Sequence, residues 1–469
     1  MGLKFCSGGT FLHLQMNSVF PLKSAIILLM LIISMNVFSE GSKELNTQAS
    51  ATQSTHLYLC NNFTSHFNGT GGIRSQFATY GCNNDERLCF ATLAHEVVYM
   101  GFQGGTSPFN TTIVYRIREF YTNAVVRPEK YIPAPEDAGY ITTLDQARNG
   151  PNDCLPATPP PAGYGSIRFV PPAPGLYYLE FSLFNTNNET YDQGQFEVNL
   201  FDITVADSTT TPSVAKPGRV YSKAWQFYEG SNFYGKNYIL SDDGIVTSAE
   251  FNNMDGGAWV LLCNQTGCGN TNWITDRVSL ENQQAIFPQY KIFLNSPSSE
   301  IFPIATTVGH LIDPEPWGER FCDGHILFHV TVDKPGNVEI ALDFDPATYQ
   351  QRLLSLAVVA GENTVFWDGL DGSPTPLIVP NNVGITFTVK YVNGLTNLPL
   401  YDVEGNSQGF KVTLEQPPGA PPSVYWDDGE VSGPPACPNG GCSPPAVFPP
   451  GCHTWTGQQG NLNTINTWW

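Results

Sequence analysis

The sequence predicts an all-β chain: β-sandwich domains in series, immunoglobulin-like or jelly-roll-like, behind a cleaved leader. Three observations carry that expectation. Ile385-Thr-Phe-Thr-Val-Lys-Tyr391 alternates apolar and polar residues, so one row of side chains meets a core and the other meets water. Such runs are punctuated by turn chemistry at Asp242-Asp-Gly244, Asp368-Gly369 and Asp371-Gly372. Glycine there takes positive φ freely, and the carboxylate can bond the backbone two residues on. Finally, capped apolar residues at helical spacing never extend past ~10 residues, and only 138–147 and 347–356 read as short helices.

The N-terminus sets the compartment. Ile26 to Ile33 is an apolar run preceded by Lys23 and followed by Val37-Phe38-Ser39, small or aliphatic at the positions a leader peptidase reads. Residues 1–39 therefore read as a signal peptide cut before Glu40, with Met1 or Met16 as the start. The run falls short of the ~20 residues a spanning helix needs, and no later stretch reaches that length. Export follows, to the cell surface or the medium, with no membrane span after the leader is removed. The 469-residue chain has net charge −20, and losing Lys4 and Lys23 with the leader takes it to −22. A surface this acidic repels phosphate backbones, which argues against a nucleic-acid partner.

The expected organisation follows the chain. Residues 40–54, rich in Ser, Thr, Gln and Asn, read as a flexible lead-in. Strand-like segments then recur over 55–206, from His56-Leu-Tyr-Leu-Cys60 to the run Gln195 to Val205, and define a first sandwich. Asp207 to Pro217, small, polar and proline-bearing, reads as a linker. A second sandwich is expected over 218–316 and a third over 321–415, closing on Gly409-Phe-Lys-Val-Thr-Leu414. Residues 416–469 form a Pro/Gly/Cys-rich segment ending in Trp468-Trp469, which reads as exposed aromatics at the end of a truncated polypeptide.

Within the third block, Trp367-Asp-Gly-Leu-Asp-Gly372, with Pro380 and Gly384 beyond it, resembles the FlgD-like immunoglobulin-type module. A longer loop from Pro374 to Pro380 is the departure from that pattern. Trp367, Asp368 and Gly369 are expected to build a structural turn, the indole in the core and the carboxylate capping backbone N–H groups. From Tyr391 to Asp428, and in the closing NTINTWW, the chain also resembles large exported multidomain proteins of Bacteroidetes. Those arrays of immunoglobulin-like sandwiches are associated with gliding motility and type IX secretion. The resemblance implies a surface or secreted protein, adhesin-like and without assigned activity.

Eleven cysteines include Cys6 in the leader, leaving Cys60, Cys82, Cys89, Cys154, Cys263, Cys268, Cys322, Cys437, Cys442 and Cys452. An even number in an exported chain predicts disulfides, of undetermined connectivity. Cys263–Cys268 is the best local candidate, and Cys82–Cys89 could close a second loop. No zinc knuckle spacing occurs. His95-Glu96 opens a zinc-protease motif that Tyr99 breaks, and His325 and His329 on a strand stand ~13 Å apart, too far for one ion. Asp368 and Asp371, with Asp343 and Asp345, are hard oxygen donors of the kind Ca²⁺ takes and are the cofactor candidates, against a plain turn-forming role that needs no ion.

No residue set reads as catalytic. The expected function is therefore non-enzymatic: adhesion or envelope display, with an extracellular protein or glycan as partner. Tyr177, Trp225 and Trp259 are candidate sugar platforms. The alternative is a set of accessory modules, carbohydrate-binding or spacer, of a secreted enzyme whose catalytic domain lies beyond Trp469.

Overall fold

A computed structural model describes residues 39–48, 51–52, 54–61, 76–105, 107, 110–157, 162–228, 233–269, 272–280, 286–345, 349–373, 377, 384–401, 403, 405–406, 409–422, 424–427, 446–448 and 465–469. The chain is all-β. Its named strands pair antiparallel, and helix is confined among the described residues to short pieces such as Ser42–Leu45 and Leu144–Asn149.

Two long sheets form a large sandwich. Among the described residues one has eleven strands, running from Ala446–Phe448 through Val424–Trp426, Ile465–Trp468, Leu398–Tyr401, Ala258–Leu262 and Ala224–Tyr228. It continues through His56–Cys60, Gln195–Asp207 and Glu96–Gly104 to Ile167–Phe169. The facing sheet orders Phe410–Gln416, Val246–Phe251, Lys236–Leu240, Lys291–Phe293, Val220–Ser222, Leu88–Thr92, Gly175–Asn185, Thr111–Glu119 and Val125–Tyr131. Alternation supplies the core between them. Leu57 and Leu59 from one sheet meet Leu88 and Phe90 from the other, and Phe102 crosses to Phe181 with ring centres 5.6 Å apart.

This pairing corrects the expected boundaries. His56 and Leu57 pair with Tyr228 and Phe227, and Val220 pairs with Phe90, so blocks 55–206 and 218–316 share both sheets and one core. The expected linker 207–217 folds back as a hairpin, Val214 opposite Asp207 and Ala215 opposite Ala206. Leu45 of the expected flexible lead-in has no exposed surface and belongs to the main core. A polar segment enters the interior here because its groups find partners: Ser42 Oγ accepts from Phe201 N at 2.9 Å, and Ser54 Oγ donates to Ser42 O at 2.9 Å.

A small sandwich is inserted between the large one's strands Lys291–Phe293 and Leu398–Tyr401. Its sheets are Trp317–Arg320, Ile326–Val332 and Gly361–Trp367, and Arg352–Val358, Gly336–Asp345 and Gly384–Val392. Ile326, Phe328, Val330 and Val332 face Val338, Ile340, Leu342 and Phe344 in a separate core. The strand expected to close this domain, here Phe410–Gln416, instead pairs with Val246–Phe251 of the large sandwich. The Pro/Gly-rich tail likewise supplies Val424–Trp426, Ala446–Phe448 and Ile465–Trp468 to the eleven-stranded sheet. Thr467 is fully buried, and Trp469 is half-buried rather than an exposed end.

Candidate functional site

The turn residues of the small sandwich have structural positions. Trp367 has no exposed surface, lies 5.9 Å from the Phe344 ring, and donates its indole N–H to Leu370 O at 2.8 Å. Asp368 Oδ1 accepts from Leu370 N at 3.1 Å, and Gly369 holds φ +77°, where a β-carbon would be strained. The cation expectation is corrected here. Asp368 Oδ2 faces Arg352 at 3.2 Å, while Asp371 accepts from Gln350 N at 3.1 Å and from Ser373 N and Oγ, each at 2.9 Å. Carboxylates committed to N–H and O–H donors are turn anchors, and among the described residues no group of three His, Cys, Asp or Glu could hold a metal.

The disulfide expectation is corrected too. Cys82, Cys89, Cys154, Cys263, Cys268 and Cys322 are free thiols, and Cys60 is buried at a strand end. Cys437, Cys442 and Cys452 lie outside the described residues. Parity explains the Cys263–Cys268 failure. Trp259, Leu261 and Cys263 face the main core, whereas Cys268 packs with Val260 and Leu262 on the opposite face. The loop is closed by Asn264 instead, which accepts from Thr266 N at 3.1 Å and Gly267 N at 2.6 Å and donates to Gly267 O at 2.9 Å. Burial pushes the thiols of Cys89, Cys154 and Cys268 up to about 12, and those of Cys82 and Cys263 upward as well. A protonated, buried thiol is a poor nucleophile. A maleimide at neutral pH should therefore modify exposed Cys322 within minutes and the five buried thiols only in denaturant, as peptide mass mapping would show. Rapid native labelling at Cys263 or Cys268 would contradict this.

The expected sugar platforms are not on the surface. Trp225 and Trp259 have no exposed surface and Tyr177 is 2% exposed, because all three occupy inward positions of their strands. Aromatic side chains do gather at the junction of the two sandwiches, around an apolar cavity of about 300 Å³. Ile239, Leu398, Phe410 and Val412 from the large sandwich and Val392 from the small one form its walls. Tyr425 and Trp469 stack beside it with ring centres 4.2 Å apart, held by reciprocal backbone bonds of 2.7 and 3.0 Å.

The cavity is also cationic. The Arg277 guanidinium lies 3.7 Å from the Trp469 ring centre and 5.4 Å from that of Trp273, and Lys390 Nζ is 5.9 Å from the Tyr425 ring. Burial draws Arg277 below its ordinary value, opposed by Glu339 at 3.8 Å and by Asp427 and Tyr425. Apolar walls with two cations at the rim can take an apolar group and an adjoining anion. The sequence did not mark this site. Trp273 and Arg277 sit in a short segment without periodicity, and only the tertiary fold brings them to Tyr425 and Trp469.

No family model matches the chain, and no curated protein matches it. Among solved structures, a DUF4785 family protein from Legionella pneumophila aligns over 76% of this chain and 92% of its own at 10% identity. Its TM-score is 0.13, too slight a likeness to bear on fold or function. Among the described residues no helix is long and apolar enough to cross a membrane.

Proposed function

We propose that this chain is a non-enzymatic segment of an exported cell-surface or secreted protein, of the adhesin-like kind its sequence resembles. It serves adhesion or envelope display, and the junction cavity is where it holds an extracellular protein partner. The observation that carries this reading is the pairing of apolar walls with Arg277 and Lys390 in one cavity. A pocket of this size suits one or two side chains of a partner, an apolar one on the walls and an acidic one against the cations. A glycan would need open aromatic faces, and here Trp469 is stacked by Tyr425 on one side and approached by Arg277.

Selection of phage-displayed peptides on the folded chain tests it. Selected peptides should share an apolar residue beside Asp or Glu and lose at least ~10-fold in affinity on Arg277→Ala, the equivalent of one charge-assisted contact. Val412→Trp, which narrows the cavity, should act likewise. Peptides indifferent to both changes would remove the cavity from the account, and Arg277-dependent binding on a glycan array would replace protein by sugar.

A further inference from the structure

Ser39 and Glu40 have no exposed surface. Glu40 is anchored without help from residue 39. Its carboxylate accepts from Gly218 N at 2.9 Å and Arg219 N at 3.1 Å, and its carbonyl accepts from Ile203 N at 2.9 Å. These bonds aim its nitrogen at Asp202, whose Oδ1 lies 2.9 Å away in the closed interior. A second, independent observation is the leader pattern, in which Val37 and Ser39 locate the peptidase cut at the bond to that same nitrogen.

We infer that Asp202 receives the α-ammonium group of Glu40, released when a leader peptidase hydrolyses the Ser39–Glu40 bond. Water adds its hydroxyl to the Ser39 carbonyl carbon, the C–N bond breaks, and the Glu40 nitrogen takes up protons to become an ammonium. Ser39 leaves with the leader, giving up its bonds to Ala147 O and from Asn295. Because the bond is enclosed in the folded chain, the cut precedes folding. This rests on the export reading above.

The surroundings need the charge. Asp202 is met by the Tyr164 hydroxyl at 2.5 Å and that of Thr204 at 2.8 Å, with Glu40, Glu44 and Cys154 close by and Lys43, partly exposed, as a neighbouring cation. Burial pushes Asp202 and Glu44 up to about 7, and Lys43 only partly offsets it. With an amide at residue 40, the fold thus favours protonated acids. Folded values above the unfolded ones mean that stability falls as pH rises from about 4 to about 7. The Glu40 carboxyl is pushed upward as well, and an α-ammonium 2.9 Å from Asp202 adds a countercharge to this group of acids and so lessens that slope.

The exported protein itself is the sample for the test. Intact mass and N-terminal sequencing should place its first residue at Glu40. At pH 7 its α-amine should react with an N-hydroxysuccinimide ester at least ~100-fold more slowly when folded than in urea, as expected of a group exposed only by opening. A chain made with residues 37–39 retained should lose more of its thermal midpoint between pH 5 and 7 than the Glu40-start chain loses, and equal losses would overturn the inference. A mass that includes the leader would overturn both this inference and the export reading. A start elsewhere than Glu40, or a Glu40 amine that labels as fast folded as unfolded, would overturn the inference and leave export standing.

Discussion

Trp367→Ala should destabilise the small sandwich by about 3–5 kcal/mol, the usual cost of deleting a buried indole. The ring is wholly enclosed, its neighbours are Phe344 and the rest of that core, and its N–H is spent on Leu370 O. Truncation therefore opens a cavity and frees the carbonyl that pins the Asp368-Gly369 turn. Because the two sandwiches have separate cores, the loss should be local. Hydrogen exchange on the full chain should quicken along Gly384–Val392 and Ile326–Val332 while His56–Cys60 keeps its protection. Exchange unchanged in the small sandwich, with a melting point within a degree of the parent, would mean that the ring is not core.

Arg219→Leu should cost about as much, by a different route. Arg219 has no exposed surface, and its Nη2 reaches Glu96 at 3.0 Å and Glu300 at 2.6 Å. Glu96 is itself buried, so removing the guanidinium leaves a carboxylate in the interior without its cation, which typically costs about 3–5 kcal/mol. Glu300 is exposed and contributes little to that sum. Adding Glu96→Gln to Arg219→Leu should recover part of the loss, because no bare charge remains. Urea titration of the single and double variants decides it. A double variant no better than the single would show that the Arg219 stem, not its charge, is what matters.

The sequence discloses local structure well and partnership poorly. Alternation at Ile385–Tyr391 and the Asp-Gly turns are set by residues a few positions apart, and the all-β class follows from them. Which strand lies beside which depends on contacts far apart in the chain. Nothing near His56 announces Tyr228, so a polar stretch at 207–217 resembled a boundary when it is a hairpin on Gln195–Asp207. The lead-in reads as solvated because Glu40, Ser42 and Glu44 are polar, while the bonds that tie them to the core run to Gly218, Phe201 and Asn295, more than a hundred residues away. The Cys263–Cys268 spacing suits a bridge, but which face each thiol takes depends on the core its strand joins, and neighbouring residues do not announce that. The cavity was not legible, since Arg277, Lys390, Tyr425 and Trp469 belong to separate segments that only folding assembles.

On the reading proposed above, the chain works outside the cell as a display and binding segment. Protease shaving of intact source cells, with mass spectrometry of released peptides and of the medium, tests it most directly. Tryptic peptides from exposed stretches such as the hairpin at 119–131 should appear in the shaved or medium fraction, and none from residues 1–39. Peptides confined to the cytosolic fraction, with leader peptides still present, would contradict it.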